Sequence, residues 1–316
     1  MNGPQCWIKK GLVFVPNENS DWLHSHAALP VVDETGDGYR VYFSSRDKRG
    51  RAQVGFFETG PQFAQVIRVS EQPVIGLGPL GAFDDSGVTT SWIVNHEGKK
   101  YHYYSGWSLG VSVPFYFFVG LAISEDGGET YQRVSPSPVL ERNSVDPYLT
   151  ASPCVLVEDG RWRMWYVSGT GWEMKGERPE HRYHIKYAES RNGVDWKREG
   201  RVCIDFQSKD EYAISRPCVL KDGALYRMWY ASRGSSYRIG YAESGDGLTW
   251  TRKDHESGID VSASGWDSEM VAYPYVFKHE GEYYMVYNGN DYGKTGIGLA
   301  LLDPLGVTSA SYAPLG

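Results

Sequence analysis

The sequence predicts an all-β protein, a five-bladed β-propeller whose N-terminal strand completes the last blade. A unit that begins at Ser152 returns in almost the same form at Arg216, and both copies combine an apolar strand, a turn and an aromatic strand. The unit can be followed through the chain at intervals of about 60 residues, which is the length that four strands and their turns need. We therefore expect a single propeller domain over residues 1–316.

The two clearest copies show what one blade contains. Each begins with Pro-Cys-Val-Leu, turns at Asp159-Gly160 or Asp222-Gly223, and continues to Arg-Met-Trp-Tyr. An Asp-Gly turn between apolar runs is typical of a β-hairpin. Both copies then reach Tyr-Ala-Glu-Ser, a second glycine turn and a Trp, which predict a third and a fourth strand.

Three further units follow the same plan. One runs from 26 to 57, a second from 88 to 131, and the last from 273 to 302. The positions that align the first strands are Pro30, Trp92, Pro153, Pro217 and Pro274. The last unit supplies three strands, whereas residues 7–14 resemble the fourth strand of the other units. We expect this segment to complete the last blade and close the ring, which would leave no open sheet edge.

Composition limits the classes of partner. The chain carries a net charge of −7 with a pI near 5.7, and it shows no basic cluster, which argues against nucleic acid and anionic membrane surfaces. No apolar run is long enough to span a membrane, and a cytoplasmic location is expected. The four cysteines match neither a disulfide framework nor a zinc pattern. His24 and His26 alternate onto one strand face but lack a third ligand, so neither a metal nor another cofactor is expected.

The candidate catalytic groups are carboxyls that precede the first strands. In a propeller these strands line the central channel, so the residues before them converge at one mouth. Repulsion and burial can keep one carboxyl protonated while another stays ionised, which is what cleavage of a glycosidic bond needs. We select Asp85, Glu211 and Glu269 as the catalytic set. The alternative for such an Asp is that it caps a turn. Glu has no comparable turn role, and the alternative for Glu211 and Glu269 is a solvated or salt-bridged strand end.

Six other residues are candidates for substrate binding. They are His26, Trp107, Asp146, Arg216, Asp267 and Tyr273. A guanidinium at Arg216 could bind a carboxylate or phosphate through two parallel hydrogen bonds, or it could pair with a channel acid. Trp107 and Tyr273 could stack on a sugar ring, although propeller cores also use such side chains.

Several motifs together resemble a known superfamily. They lie at 26–30 (His-Ala-Ala-Leu-Pro), 83–88 (Phe-Asp-Asp-Ser-Gly-Val), 146–153, 182–190, 214–217 (Ile-Ser-Arg-Pro) and 266–270 (Trp-Asp-Ser-Glu-Met). The chain resembles the five-bladed propeller glycosidases of families 32, 43 and 130, in particular a subgroup similar to the N-terminal domain of family 32 hydrolases. The resemblance implies that acids from different blades act as nucleophile or base, general acid and transition-state stabiliser, roles that would fall to Asp85, Glu211 and Glu269.

Two departures from that superfamily narrow the expected function. The first-blade Asp of its well-studied members is replaced by the segment 24–26, and the Glu two residues before proline is replaced by Ala151, Ser215 and Ala272. These changes argue against fructan hydrolysis by the family 32 machinery. We expect a carbohydrate-active enzyme that cleaves or transfers a glycosyl group of a carbohydrate or sugar-derived small molecule, and Arg216 would suit an anionic one. The alternatives are a non-catalytic carbohydrate-binding propeller and a phosphorylase or transferase of polysaccharide metabolism; the oligomeric state stays open.

Overall fold

The structure is a computed structural model that describes residues 5–16 and 20–303. Their regular secondary structure is almost entirely β-strand. The exceptions are a 3-10 turn at Asp254–Glu256 and one helical turn, α1, at Asn290–Gly293. No helix in the described part is long and apolar enough to cross a membrane.

The strands follow one another along the chain as antiparallel meanders. The first ten are β1 (Trp7–Phe14), β2 (Ser25–Thr35), β3 (Gly38–Arg46), β4 (Ala52–Thr59), β5 (Val66–Val69), β6 (Gly87–His96), β7 (Lys99–Leu109), β8 (Phe115–Ser124), β9 (Gln132–Arg133) and β10 (Thr150–Glu158). The others are β11 (Arg161–Lys175), β12 (Arg178–Ser190), β13 (Lys197–Ile204), β14 (Ala213–Asp222), β15 (Leu225–Arg233), β16 (Tyr237–Ser244), β17 (Thr251–Arg252), β18 (Ala272–His279), β19 (Glu282–Asn288) and β20 (Ile297–Leu302).

The pairing groups these strands in fours, which we call units. The first unit is β2–β5 and the second is β6–β9. The third unit, β10–β13, and the fourth, β14–β17, belong to one eight-stranded sheet because a single parallel bridge joins Tyr183 to Ala213. The last unit has the order β1-β20-β19-β18. The units match the repeats that the sequence predicts.

Strand β1 completes the last unit, as predicted. It pairs antiparallel with β20, so the N-terminal segment becomes the outer strand of the C-terminal sheet. Trp7 and Phe14 at its two ends are buried. The ring of Trp7 meets Trp229 of the fourth unit edge-on, and Phe14 stacks on Phe57 of the first unit at 4.6 Å. One strand thus joins the last unit to two others.

Glycine turns connect neighbouring units. A turn that follows the third strand of a unit accepts a hydrogen bond from an aromatic side chain of another unit, in the pairs Tyr42–Gly128, Tyr103–Gly193 and Trp165–Gly247. The three glycines have φ between +71° and +92°, a conformation that a side chain disfavours. The glycine turns after these three third strands are therefore structural.

The first strands of four units carry a bulge at the aligned proline. Pairing is interrupted there, and the residue before each proline has a left-handed backbone with φ between +44° and +58°: Leu29, Ser152, Arg216 and Tyr273. A proline lacks the N–H that a regular ladder would require, so it fits a bulge. Bulges turn side chains away from the regular alternation, and Leu29, Ser152 and Tyr273 at these bulges line a cavity between the units.

Candidate functional site

A cavity of about 460 Å³ lies where the first strands of the units meet. Its wall takes at least one residue from each of β2, β6, β10, β14 and β18, the strands that begin the five repeats. The strands β7, β8, β11 and β12 add the ends of long hairpins to one side. The volume falls within the range of roughly 300 to 1,000 Å³ that small-molecule sites occupy.

Aromatic rings cover the side of the cavity that these hairpins form. Phe115 and Phe117 lie 4.8 Å apart between ring centroids. His181 is stacked on Tyr183 at 4.7 Å with an angle of 5° between the ring planes. Trp107 lies 6.2 Å from Phe117. Flat apolar faces of this kind suit the C–H faces of a sugar ring.

Two guanidinium groups line the same cavity, those of Arg46 and Arg233. Arg233 lies over the rings of Tyr212, Tyr237 and Tyr292, at 5.2 to 5.5 Å from their centroids. Within the described residues neither guanidinium has a hydrogen bond or an ion pair. No Asp or Glu is among the described residues that line this cavity. The described residues of the wall therefore include positive charge but no carboxylate, and the acids Glu269 and Asp291 line an adjoining pocket.

The histidines on the wall are neutral at physiological pH. Burial, followed by repulsion from Arg46, lowers the pKa of His26 to about 4. Burial and then Arg233 lower the pKa of His181 to about 4. Neither residue belongs to a metal-binding cluster, since residues 5–16 and 20–303 contain no group of three or more His, Cys, Asp or Glu able to hold a metal ion.

Hydrogen-bond donors on the wall differ in whether they are already engaged. The hydroxyls of Tyr183 and Tyr237 lie 2.6 Å apart and bond to each other. The Tyr273 hydroxyl and the Trp107 indole N–H have no partner in the described structure. Burial raises the pKa of Tyr273 well above its usual range, so its hydroxyl keeps its proton. His26, Trp107 and Tyr273, predicted to bind substrate, thus lie on the wall, and their contact with substrate stays a prediction.

A smaller pocket of about 110 Å³ adjoins the cavity and shares Arg233, Tyr237 and Tyr292 with it. Two carboxylates line it, Glu269 and Asp291. Asp291 lies in α1, where it and Tyr292 both have left-handed backbones with φ of 53° and 59°. Two consecutive non-glycine residues in this conformation mark a strained segment, a feature that concentrates at functional sites.

Of the three carboxyls predicted to be catalytic, Glu269 lines the small pocket, whereas Asp85 and Glu211 are not among the described residues that line either pocket. Asp85 accepts a hydrogen bond from Ser86 within its own turn. Glu211 is buried and pairs with both terminal nitrogens of Arg252 at 2.8 and 2.9 Å. Burial opposes ionisation of Glu211, but hydrogen bonds from Arg252 and Ser232 outweigh it and lower its pKa. The structure does not bring the three onto one pocket wall; their catalytic roles stay predictions.

The buried aspartates act inside the units rather than at the cavity. Asp146 is fully buried and accepts hydrogen bonds from Tyr166 and Ser168 and a charged one from Arg198 at 3.0 Å. Asp267 pairs in the same way with Tyr287 and with Lys9, at 2.9 and 2.7 Å. In both cases an acid before the first strand joins a second-strand tyrosine to a basic residue of the outer strand. These partners engage both carboxylates inside their units, and contact of Asp146 and Asp267 with substrate stays a prediction.

Arg216 lies inside the protein rather than on the cavity wall, where a contact with substrate was expected. Its side chain is fully buried and donates to the backbone carbonyls of Ser91 and Pro30, the latter at 2.7 Å. Burial lowers the pKa of Arg216 to about 10, so it remains charged near neutral pH. The guanidinium joins the fourth unit to the first and second ones. It is not among the described residues that line the cavity, so its position favours a scaffold role, and its contact with substrate stays a prediction.

Sequence reasoning missed Arg46, Arg233 and Asp291. For charged groups it considered residues before or at the start of first strands, whereas the two arginines end second strands and Asp291 follows one. In an antiparallel hairpin the end of the second strand is opposite the start of the first. The pairings Ser25–Arg46, Gly87–Trp107 and Ala213–Arg233 follow that rule. The polar residues after each aromatic run were the signal that could have found them.

Two proteins of Mycobacterium tuberculosis are similar to the chain over most of its length. Uncharacterized protein MT1551 of strain CDC 1551 / Oshkosh is 43% identical over 301 residues, which cover 94% of this chain and 99% of that protein. Uncharacterized protein Rv1502 of strain ATCC 25618 / H37Rv is 42% identical with the same coverage. No family model matches the chain.

Solved structures resemble the chain as well. The complex of BT0996 with RGII has a TM-score of 0.75 with 20% identity, and the match covers 99% of this chain and 96% of that protein. A thermostable family-43 glycoside hydrolase has a TM-score of 0.65 with 16% identity and 92% coverage of both chains. The family 32 β-fructofuranosidase BmSUC1 of Bombyx mori, a mutant in complex with sucrose, has a TM-score of 0.62 with 12% identity and covers 90% of this chain and 62% of that one. At such identities the likeness shows the fold, which is that of the propeller-type glycoside hydrolases.

Proposed function

The chain belongs to the same family as the two mycobacterial proteins and shares the fold of the propeller glycoside hydrolases, and on this premise we propose that it is a glycosidase-like enzyme. It binds a glycoside in the central cavity and hydrolyses or transfers the glycosyl group with carboxyls at the cavity's edge. The observation that carries the proposal is the cavity itself, a sugar-sized space with stacked rings on one side. Structural neighbours in complex with RGII and with sucrose support a sugar as the ligand.

The finer architecture belongs to the same proposal. The four-stranded units are blades of a five-bladed propeller, and β1 closes the ring between the last blade and the first. Pairing of β1 with β20 and stacking of Phe14 on Phe57 support this closure. A closed ring would hold the five first strands around one cavity, and a cavity wall with residues from all five of these strands supports it.

The reacting carboxyls in this proposal are Glu269 and Asp291. Both line the small pocket that shares Arg233 with the cavity, so a glycoside bound in the cavity would present its linkage to them. Glycosidases need a pair of carboxyls on either side of the scissile bond, at about 5 to 9.5 Å from each other. Asp85 and Glu211, predicted from the sequence, are the competing assignment.

An activity screen with amide variants tests the proposal. Wild type is assayed against 4-nitrophenyl glycosides and then compared with Glu269→Gln and Asp291→Asn, which keep the shape but cannot titrate. We expect kcat/KM to fall by about 10²- to 10⁴-fold in both, the usual contribution of acid–base catalysis. The control is Glu97→Gln, because the Glu97 side chain is 82% exposed on a distant hairpin.

The competing carboxyls give the contradicting outcome. Asp85→Asn and Glu211→Gln are measured in the same assay, with melting temperature recorded for each variant. Wild-type activity in both Glu269→Gln and Asp291→Asn, together with loss of activity in folded Asp85→Asn or Glu211→Gln, would return the catalytic role to the set predicted from the sequence.

A second candidate function is glycoside binding without catalysis. The observation in its favour is that no carboxylate lines the central cavity within the described residues. A binding protein would show saturable glycoside affinity by calorimetry but no turnover. Its Glu269→Gln and Asp291→Asn variants would bind as wild type does, whereas the loss of Trp107 or Tyr183 would weaken binding.

A further inference from the structure

The cavity wall contains more unneutralised positive charge than a site for a neutral sugar needs. Arg46 and Arg233 both face the cavity, and no lining residue of the described chain is an acid. Arg233 is half-buried, so part of its hydration is lost in the folded protein. Charges held out of water normally acquire a partner. Here the protein supplies none within the described residues, which leaves that position to a ligand.

Other arginines that are buried to a similar or greater degree do have partners. Arg40 pairs with Glu58 and Glu129, and Arg252 pairs with Glu211 and Asp254. Arg216 donates to backbone carbonyls. Arg233 differs from all of these in the described structure, because its guanidinium lies over three tyrosine rings and has neither a hydrogen bond nor an ion pair. Those rings hold the guanidinium in place and leave its N–H donors free for a ligand.

The neighbouring free groups are also donors. The Tyr273 hydroxyl has no partner in the described structure, and both Arg46 and Arg233 lie close enough to act on its pKa electrostatically. The Trp107 N–H is free on the same wall within the described part of the chain. Two guanidiniums, a hydroxyl and an indole N–H thus converge on one space. A group with several lone pairs and negative charge would satisfy them together.

We propose that Arg46, Arg233 and Tyr273 form a subsite for an oxyanion of the ligand, a carboxylate or a phosphate or sulfate group. The proposal rests on the proposed function, in which the cavity holds a glycoside. The anion is carried by the sugar, as in a uronate or a sugar phosphate, or it is a free phosphate that takes part in glycosyl transfer. The guanidinium fork binds either one through two parallel hydrogen bonds.

The carboxylates of the small pocket limit where the subsite lies. Glu269 and Asp291 share the Arg233 wall, yet neither forms an ion pair with Arg233 in the described structure. An anion would be repelled from their side and attracted to the side of Arg46. The oxyanion therefore occupies the larger cavity, and the linkage of the sugar points towards the small pocket.

Calorimetric titration with matched ligands tests the subsite. The probes are glucuronate, galacturonate, glucose 6-phosphate and glucose 6-sulfate, each against its neutral parent sugar, and inorganic phosphate. We expect at least one charged sugar to bind at least 10-fold more tightly than its parent, or inorganic phosphate to bind by itself. Arg46→Gln and Arg233→Gln should each remove that preference, and Arg233→Lys should restore part of it. The control is Arg201→Gln, because Arg201 is exposed on β13 away from the cavity.

The outcomes separate this inference from the proposed function. If wild type binds a charged sugar more tightly than its neutral parent, the anion belongs to the sugar. If wild type binds inorganic phosphate and Arg233→Gln does not, the anion is a free co-substrate. Equal affinity for charged and neutral sugars, unchanged in Arg46→Gln and Arg233→Gln, would overturn the subsite and leave the glycoside function standing. Binding of none of the probes to wild type would overturn both. Arg46 is exposed, so Arg46→Gln remains informative even if Arg233→Gln fails to fold.

Discussion

Replacement of Phe14 by Ala tests whether β1 seals the fold. Phe14 is 8% exposed at the end of β1, although it lies in the first 16 residues of the chain. Its ring packs against Phe43 and Phe57 of the first unit, at 4.8 and 4.6 Å between centroids. Its strand pairs with β20 of the last unit. The side chain thus bridges two sheets that are far apart in sequence.

The expected cost of Phe14→Ala follows from this packing. Full burial of a phenylalanine ring stabilises a protein by about 1.5 to 3 kcal/mol. The rings of Phe43 and Phe57 cannot collapse fully into the vacated space, so a cavity adds to the loss, and the total reaches roughly 3 to 5 kcal/mol. Leu12→Ala on the same strand is the matched control, because Leu12 is 42% exposed. We expect it to cost less than about 1 kcal/mol.

Urea unfolding followed by tryptophan fluorescence measures both free energies of unfolding. The 11 tryptophans give a strong signal, to which Trp7 of β1 contributes. A difference of at least about 2 kcal/mol between Phe14→Ala and Leu12→Ala would agree with the packing. Equal losses in the two variants would refute the reasoning, because they would mean that the ring at position 14 does not hold the first and last units together.

Three further variants test the scaffold. Arg216→Met should lower the melting temperature, because two carbonyls lose their donor, with glycoside affinity unchanged; weaker affinity at an unchanged melting temperature would restore its predicted contact with substrate. Asp146→Asn should cost about 3 to 5 kcal/mol in urea unfolding, whereas exposed Asp210→Asn should cost almost nothing, and equal costs would contradict the role of Asp146. Burial lowers the pKa of His102 to about 3, below its unfolded value of 6.5, so stability should fall as pH drops from about 6.5 towards 3. A His102→Asn variant should show a shallower decline of melting temperature between pH 7.5 and 4.5, and an identical decline would exclude His102 as a cause.

The strand plan could be predicted from the sequence because its signals are local. Alternating apolar residues and Asp-Gly or Asn-Gly pairs specify hairpins without reference to distant residues. The place of β1 could be inferred as well, since the last repeat supplies three strands and residues 7–14 resemble a fourth. The structure pairs β1 with β20 accordingly. Repetition made even this long-range contact predictable.

The role of each acid could not be predicted, because it depends on residues far away in the chain. Asp267 pairs with Lys9, which precedes it by 258 positions. Glu211 pairs with Arg252 of an outer strand. A carboxyl before a first strand looks the same in sequence whether it faces the cavity or a basic side chain inside its own unit. Only the fold decides between these two environments. Here most of the predicted acids accept hydrogen bonds from other side chains of the protein.

A comparison of the repeated units also indicates which positions are not needed for the fold and can therefore carry function. The pairing of a buried acid with a tyrosine and a basic residue recurs in the units that contain Asp146 and Asp267, so it belongs to the scaffold. The ends of the second strands, by contrast, differ from unit to unit, with Arg46 in the first, Trp107 in the second and Arg233 in the fourth. All three line the cavity. These three side chains line one cavity but take no part in the contacts that recur from unit to unit. Ligand specificity can therefore change through them without loss of the fold. Variation among relatives should therefore alter ligand preference through the second-strand ends and leave the acid–tyrosine pairs unchanged.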